Sequence, residues 1–543
     1  MRLVQKAGTK IRDNAQDNDF WWHFRPFINL LSAFSQLQLA SSSHLIDPII
    51  EGMQDKRLTD KTNFTLEHRG MVSSIHGLAS TTQRKAGSKN LRNRQGKYMR
   101  QIGFIRVRKL LILLAGLLTT STTAVNADTS SAGAINTVHC GSVIDGIADE
   151  SIGPRILTIN NGVITSIRQP SEQHTVDLDL NDYTCLPGLI NTHVHFDANP
   201  EDAADYGVYA RRTSEDNLQL ILRNAEITLR SGFTTVRHAG AWFPDTLAIA
   251  RAEIESGQAL GPRIQSAGPY LTIPGGGGDL TFPEIPPDKI PTESQQGIAT
   301  TPQGFAERAS NAIDKGADFL KVIASGAVFS TGTEPGAPEM HQDDIEAVVA
   351  VAKQRGVKVT AHVHSDQSGR DAILAGVNSL EHASLLSDET IALAVENDVA
   401  LSMDVYNGTY TDTVGREQGY PEVFIQRNLE TTEAQRLVFE KAVAASATLL
   451  YGTDAGVLPH DMGGWQFEIM VERGMTPMQA IKSATSVAAH HMELGDKVGT
   501  LREGLRADLV AVRGDPLGDV KHLRDLSIVI KDGVVVKAPE SAR

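Results

Sequence analysis

LPGLINTHVHFD, residues 186–197, is apolar at most positions and carries two histidines spaced by two. Successive side chains of a strand point to opposite faces, so His193 and His195 share one face. A lone histidine on an apolar strand is more often a satisfied core residue. A pair at this spacing, followed by Asp197, points instead to metal ligation. Seven further short apolar runs follow in the chain. They are GFTTVRHAG (232–240), PRIQSAGP (262–269), DFLKVIASG (318–326), VKVTAHVHS (357–365), VNSLEHAS (377–384), VALSMDV (399–405) and TLLYGTDAG (448–456). Helix-period segments separate them. Eight β-runs with helical connections read as an α/β (β/α)8 TIM barrel, whose chemistry gathers at the C-terminal ends of the strands.

Outward from this core, both flanks change character. Residues 135–186 are short and β-like, with Gly and Asn-Gly turns in ILTINNGVITSIRQ and TVDLDLNDYTCLPG. ADLVAVRGD (507–515) and LSIVIKDGVVVK (526–537) read alike. The two ends are therefore expected to meet in one small β-sandwich. IPGGGGDLTFPEIPP, within residues 272–302, is too long and polar for a plain connection and is expected to be an ordered rim loop or lid.

The 543-residue chain carries a net charge of −14, unevenly spread. Residues 1–98 hold 15 Lys+Arg against 8 Asp+Glu, about +7, which leaves 36 against 57 in the remainder. Met99 then opens a basic stretch, MRQIGFIRVRK, followed by the apolar run LLILLAGLL (110–118) and a small-residue end at Val125-Asn126-Ala127. That order is the plan of a secretory signal peptide. The expected organisation is an upstream extension over 1–98, a signal peptide over 99–127, one part of the sandwich over 128–187, the barrel over 188–501 and the second part of the sandwich over 502–543. The mature chain would start near Asp128, strongly acidic and exported to the periplasm or the extracellular space. No cysteine follows the cleavage pattern, which argues against a lipid anchor. No stretch approaches the ~20 apolar residues that span a bilayer. An acidic total also argues against nucleic acid as a partner. Cys140 and Cys185 are the only two cysteines, too few for a disulfide scaffold or a four-thiolate zinc site. They fall in sandwich strands and could pair after export, although nothing in the sequence requires it.

The ionisable residues at the strand ends form a constellation. His362 and His364 repeat the spacing at the fifth run, His382 follows Glu381 at the sixth, and Asp454 follows Gly-Thr at the eighth. Imidazole and carboxylate from four strands suit a hard-to-borderline divalent metal. Lys321 interrupts an apolar fourth strand. Burial depresses a lysine pKa, and the neutral amine can add carbon dioxide to become a carbamate able to bridge two cations. A lysine paired with a neighbouring acid, or one pointing outward, accounts for this strand equally well.

Taken together, LPGLINTHVHFD, DFLKVIASGAV, TAHVHS, SLEHAS, YGTDAG and the tail SATSVAAHHMELGDKVGTLREGLRADLVAV resemble the amidohydrolase superfamily over about residues 135–540. The resemblance implies a barrel with a sandwich built from both ends and a binuclear centre of two divalent ions, zinc by preference. His193, His195, Lys321 (as carbamate) and Asp454 would hold one ion, and the carbamate, His362 and His382 the other. His362 is preferred over His364 because the first His of this motif is the usual ligand. FLKVIASG and GTDAGVLPHDMGGWQFEIMVERGMTPMQAI (452–481) are most similar to the branch containing Xaa-Pro dipeptidases, carboxypeptidase-like enzymes acting on dipeptides and N-acyl amino acids, and ochratoxin-hydrolysing amidases. Imidazolonepropionases resemble it less, lacking the bridging lysine. Relatives commonly read TVRD at the second strand, where this chain has Val236-Arg237-His238.

The activity so implied is hydrolysis of an amide bond in a dipeptide or N-acyl amino acid, next to a residue with a free carboxylate. A hydroxide shared by the two ions would attack the carbonyl, with Asp454 as general base and then acid. His364, His238, Arg237 and Tyr406 are the candidates for holding this small-molecule substrate. Cyclic-amide or deaminase chemistry is the rival reaction, and a non-catalytic metal-binding protein the rival class. Metal identity, substrate side chain and oligomeric state, a homo-oligomer included, are left open by the sequence.

Overall fold

The computed structural model describes residues 135–171 and 175–539. The expected upstream extension (1–98) and signal peptide (99–127) lie outside the described residues.

Four strands come first: β1 (Thr137–Val143), β2 (Arg155–Asn160), β3 (Val163–Arg168) and β4 (Leu178–Pro187). The middle of the chain supplies β5 (Leu189–Val194), β6 (Phe233–His238), β7 (Arg263–Ser266), β8 (Tyr270–Leu271), β9 (Phe319–Ile323), β10 (Lys358–Val363), β11 (Ser379–His382), β12 (Ala400–Ser402) and β13 (Leu449–Leu450). The chain ends with β14 (Leu509–Arg513), β15 (Ile528–Lys531) and β16 (Val534–Lys537).

The two ends do meet. They form one seven-stranded sheet in the order β16-β15-β14-β4-β1-β2-β3. β4 is central, antiparallel to β14 with Leu186 opposite Val510, and parallel to β1. The sheet curls until its far edge is tied back, with Ile164 N–H donating to Leu505 O (2.8 Å) and Ala507 N–H to Gly162 O (2.8 Å). Val138, Leu180, Leu509, Ala511, Ile528 and Ile530 fill the concave side. Cys140 and Cys185, both buried there, are joined in a disulfide between β1 and β4.

Each of the eight apolar runs contains a strand, and every pairing among β5–β13 is parallel. The third run is interrupted: β7 pairs with β6, whereas β8, just beyond Gly268-Pro269, pairs with β9. The parallel strands thus fall into a three-stranded sheet, β5-β6-β7, and a six-stranded sheet, β13-β12-β11-β10-β9-β8. Hydrogen bonds cross both gaps. Asp318 N–H donates to Ser266 O (2.8 Å) at one, and Thr192 N–H to Tyr451 O (2.8 Å) and His195 N–H to Ala455 O (2.7 Å) at the other.

Helices alternate with these strands, among them Ser214–Arg230, Pro302–Asp314, Gln342–Arg355 and Glu422–Ala444. Local chemistry starts several of them. Thr213 caps the first by accepting from Asp216 N–H, and Thr301 precedes Pro302 at the first helical position of the second. Their apolar faces pack on the outward residues of the strands, such as Val348 and Val349 with Leu320, Val322 and Ala361 in one core. Gly188 carries the chain from β4 into β5. A Cβ there would stand 2.2 Å from Thr234 Oγ1, so only glycine lets the two strands approach. The Gly-rich stretch after β8 is tied at the rim. Gly277 N–H donates to both carboxylate oxygens of buried Glu339 (2.9 and 3.1 Å), and Thr333 donates to the same group. Among the described residues no helix is long and apolar enough to cross a membrane.

Candidate metal centre and active site

Alternation along β5 brings His193 and His195 to the same side, with their Nε2 atoms 3.1 Å apart. Asp454 joins them because its N–H donates to His193 O (2.9 Å), and its Oδ1 lies 3.4 Å and 3.2 Å from the two Nε2 atoms. Asp454 and His382 both adopt left-handed backbone conformations, with φ of 57° and 66°. Non-glycine residues there cost of order 1–3 kcal/mol each. The strand ends bend at both positions, and at His382 this lets adjacent Glu381 and His382 both serve the site.

The second nitrogen of several rings has a partner of its own. His193 Nδ1 lies 2.9 Å from Glu381 Oε2, and His382 Nδ1 lies 2.9 Å from Asp404 Oδ1. His195 Nδ1–H donates to Gly240 O (2.9 Å), with the Tyr270 hydroxyl at the same distance. His364 Nδ1 meets Ser384 Oγ at 2.9 Å. Acceptors on Nδ1 leave the Nε2 lone pair free for a cation and fix each ring's orientation. His362 Nε2 is buried without any partner. Among the described residues four groups of donor atoms are close enough for one ion each: His193, His195 and Asp454; His362, His364 and His382; His382, Asp404 and Asp454; and, behind His195, the group His195, Asp197 and His238. Nitrogen and carboxylate donors of this kind fit a divalent ion.

Electrostatics agree with ligand duty. Burial pushes the His193 imidazole down to about 4, and burial with the neighbouring His382 and His364 holds His362 well below its ordinary value. Both are therefore neutral at pH 7. Burial works against the charge on Asp454, yet His193 and His195 keep it below the usual carboxylate range. Lys321 is 1% exposed, and burial lowers its amine to about 8 although Glu381 and Asp454 pull the other way.

These groups line the floor of one cavity that is open to solvent at its mouth. His193, His195, Lys321, His362, His364, His382 and Asp454 all line it. Lys321 therefore points inward, while its neighbours Leu320 and Val322 pack against the helices. Arg237, His238 and Tyr406 lie elsewhere. Arg237 is buried below the floor, paired with Glu381 and donating to Thr192 O (2.8 Å). His238 is fully buried, its Nε2 accepting from Phe196 N–H (2.8 Å). Tyr406 packs on Trp465, ring centroids 5.9 Å apart. Of the four substrate candidates, only His364 reaches the cavity. Sequence reading passed over Glu381 and Asp404, although each lies near a strand end like the ligands, Glu381 directly before His382 and Asp404 next to last in the seventh run.

The chain is similar to several known proteins. Ochratoxinase from Aspergillus niger is 27% identical over 388 residues, covering 65% of this chain and 76% of the relative. An imidazolonepropionase from Haloarcula marismortui is 23% identical, covering 73% and 90%. A solved Xaa-Pro dipeptidase with methionine bound in its active site is 31% identical, covers 74% of this chain and 99% of that one, and superposes with a TM-score of 0.69. A prolidase complexed with N-methylphosphonate-L-proline is 25% identical, covering 75% and 100%, with a TM-score of 0.68. The Amidohydrolase family model matches residues 184–537, from the end of β4 through β16, and the chain belongs to the amidohydrolase family.

Proposed function

We propose that this amidohydrolase-family hydrolase cleaves the amide bond of a dipeptide or N-acyl amino acid. The observation that carries the proposal is the gathering of five histidines, Lys321 and Asp454 on one cavity floor, with ring nitrogens turned inward. In this reading β5–β13 close into a (β/α)8 barrel, supported by the hydrogen bonds across both sheet gaps, and the curled sheet of the chain ends is its companion sandwich. His193, His195 and Asp454 would hold one divalent ion, and His362 and His382 the other. Lys321 would lie between them as a carbamate, with zinc the ion that suits these donors. Such ions, when bound, supply an activated water and polarise the carbonyl.

The chain's own groups do the rest. Asp454 takes the proton of the attacking water on its carboxylate and returns it to the leaving nitrogen. Asn407 Nδ2, 3.3 Å from Asp454 Oδ2, steadies that carboxylate. Glu381 and Asp404 orient His193 and His382.

The test is a hydrolysis screen of dipeptides, N-acyl amino acids and cyclic amides on metal-loaded protein, beside Lys321→Ala. Turnover of the first two classes, with activity and at least one metal lost in Lys321→Ala, is expected. Cleavage of cyclic amides alone would move the reading to imidazolone-like chemistry. No turnover with full metal would leave a metal-binding protein.

Export is part of the same proposal. The order of segments from Met99 and the Cys140–Cys185 disulfide support an oxidising compartment and a mature start near Asp128. N-terminal sequencing of the active form from its native host decides it, and intact residues 1–98 there would sink it.

A further inference from the structure

We infer that the cavity carries, beside the reacting bond, a binding place for an uncharged aromatic group of the substrate, walled by Tyr206, Tyr209, Trp242 and Tyr270. The inference rests on the amide-hydrolase reading and names what that amide bears. These four rings line the cavity and form a continuous path away from the metal floor. Ring centroids step 5.6 Å from His195 to Tyr270, 5.9 Å from Tyr270 to Trp242, and 4.7 Å from Trp242 to Tyr209. Tyr206 stands 6.1 Å from Trp242. Spacings of this kind suit edge-to-face and offset packing, and a planar guest can join the series.

The wall is held in place before any ligand arrives. Trp242 N–H donates to Asp197 Oδ2 (2.8 Å) and its indole Nε1–H to Gly278 O (3.1 Å). Tyr206 is stacked on Phe282 at 3.7 Å. Gly240 has a φ of 106°, and a Cβ there would stand 2.4 Å from the Tyr270 ring, so glycine is what lets that ring lie flat. The polar atom of the indole is spent outside the cavity, which leaves apolar ring surface.

Charge is excluded by what surrounds the rings. Among the described lining residues Lys321 is the only lysine or arginine, and it belongs to the metal floor. Asp202 is engaged on both oxygens by Arg212 (2.6 and 2.9 Å). On another part of the lining the donors are already used. Asn428 Nδ2–H donates to Gly408 O, Thr431 to Arg427 O and Thr432 to Asn428 O, at 3.0, 2.9 and 2.6 Å. A carboxylate or ammonium moved onto this wall would lose its water and meet ring faces rather than an oppositely charged partner, whereas an aromatic ring gains contact. The structure thus offers no cationic clamp beside the rings for the free carboxylate expected from sequence.

Two measurements test this. With metal-loaded enzyme, N-benzoyl-L-alanine and N-acetyl-L-phenylalanine are compared with N-acetyl-L-alanine, N-acetyl-L-aspartate and N-acetyl-L-lysine. At least one aromatic substrate should lead N-acetyl-L-alanine by about 10–100-fold in kcat/KM, with both charged ones below it. The lead should shrink in Trp242→Leu. The second measurement needs no turnover. The uncharged quencher 4-nitrobenzyl alcohol should quench tryptophan emission saturably in the native enzyme, and Trp242→Phe, which keeps a ring there, should remove that component. Charged substrates equal to the aromatic ones, or quenching that is linear and identical in both proteins, overturns the aromatic site. If no substrate is cleaved, the amide-hydrolase reading falls and the quenching alone decides the aromatic site.

Discussion

Arg237→Met is the most informative single change, because it separates what holds the fold from what holds the ligands. Arg237 and Glu381 are 3% and 0% exposed, and their ion pair lies directly beneath the floor of the site. Methionine keeps much of the side-chain volume over the Phe319 ring, 5.0 Å from the guanidinium, but removes the charge. It also removes the donors to Thr192 O (2.8 Å) and Ser379 Oγ (3.2 Å). Breaking a buried pair by deleting one partner costs about 3–5 kcal/mol, and that is the expected loss in urea unfolding of the apoprotein. The pH dependence should weaken as well. In the native protein burial raises the Glu381 carboxyl, but Arg237 and His193 hold it well below its ordinary value. Its charge therefore stabilises the fold above about pH 4.3, and the benefit is lost as pH falls through the depressed value. Without Arg237, burial is opposed by His193 and Lys321 alone, so the carboxyl should move up from its depressed value and this pH-dependent stabilisation should shrink. Arg237→Met with Glu381→Met leaves no orphan charge and should regain most of the stability. It should nonetheless bind metal about 10–100-fold more weakly, because His193 has lost its carboxylate. A single variant within about 1 kcal/mol of wild type, a value typical of ordinary substitutions, would refute the reasoning.

Two further outcomes follow from described contacts. Asp404→Asn weakens the hold on His382 Nδ1, and metal affinity should fall about 10–100-fold; metal retained after dialysis against a chelator reports it, and wild-type retention would show that Asp404 does not orient the ring. Burial raises the Glu339 carboxyl despite its bonds to Thr333 and Gly277. Its contribution to stability is therefore fullest below the ordinary carboxylate pKa and is lost as pH rises through the raised value. Glu339→Gln keeps an oxygen for Gly277 N–H, so its unfolding temperature relative to wild type should increase between pH 4.5 and 7.5. A difference that stays flat would mean that Glu339 is ionised without penalty.

Period-two alternation was enough to place His193 and His195 together, and run counting found all eight strand regions, because both depend on local geometry. Lys321 was ambiguous on its strand, and its direction became clear only from the packing of Leu320 and Val322 against helices. The interruption of the third run between β7 and β8 had a local sign in Gly268-Pro269, but which neighbour each half would pair with is tertiary information. Arg237 and His238 are substrate candidates in the sequence, His238 standing where relatives commonly carry the Asp of TVRD. One lies below the floor and the other is packed under Phe196, depths that no sequence spacing encodes. Glu381 was hidden for the opposite reason. Strict alternation places it on the face opposite His382, and only the left-handed turn at His382 brings both to the site.

The central place of β4 in the terminal sheet bears on how the molecule is made. Its hydroxyl Thr184 donates to the carbonyl of Gly514, 330 residues later. A ribosome delivers β1–β4 early and must then synthesise the whole run of parallel strands before β14 exists. Until then one edge of β4 is unsatisfied and open to pairing with other chains, and contacts this distant in sequence form slowly. β5, which continues directly from β4 through Gly188, shares that delay. Asp454 likewise arrives long after His193 and His195. In the proposed centre, metal loading would therefore be an event of the finished chain, carried out with the cations of whichever compartment it folds in, and truncation before β14 would yield an aggregating product rather than a smaller enzyme.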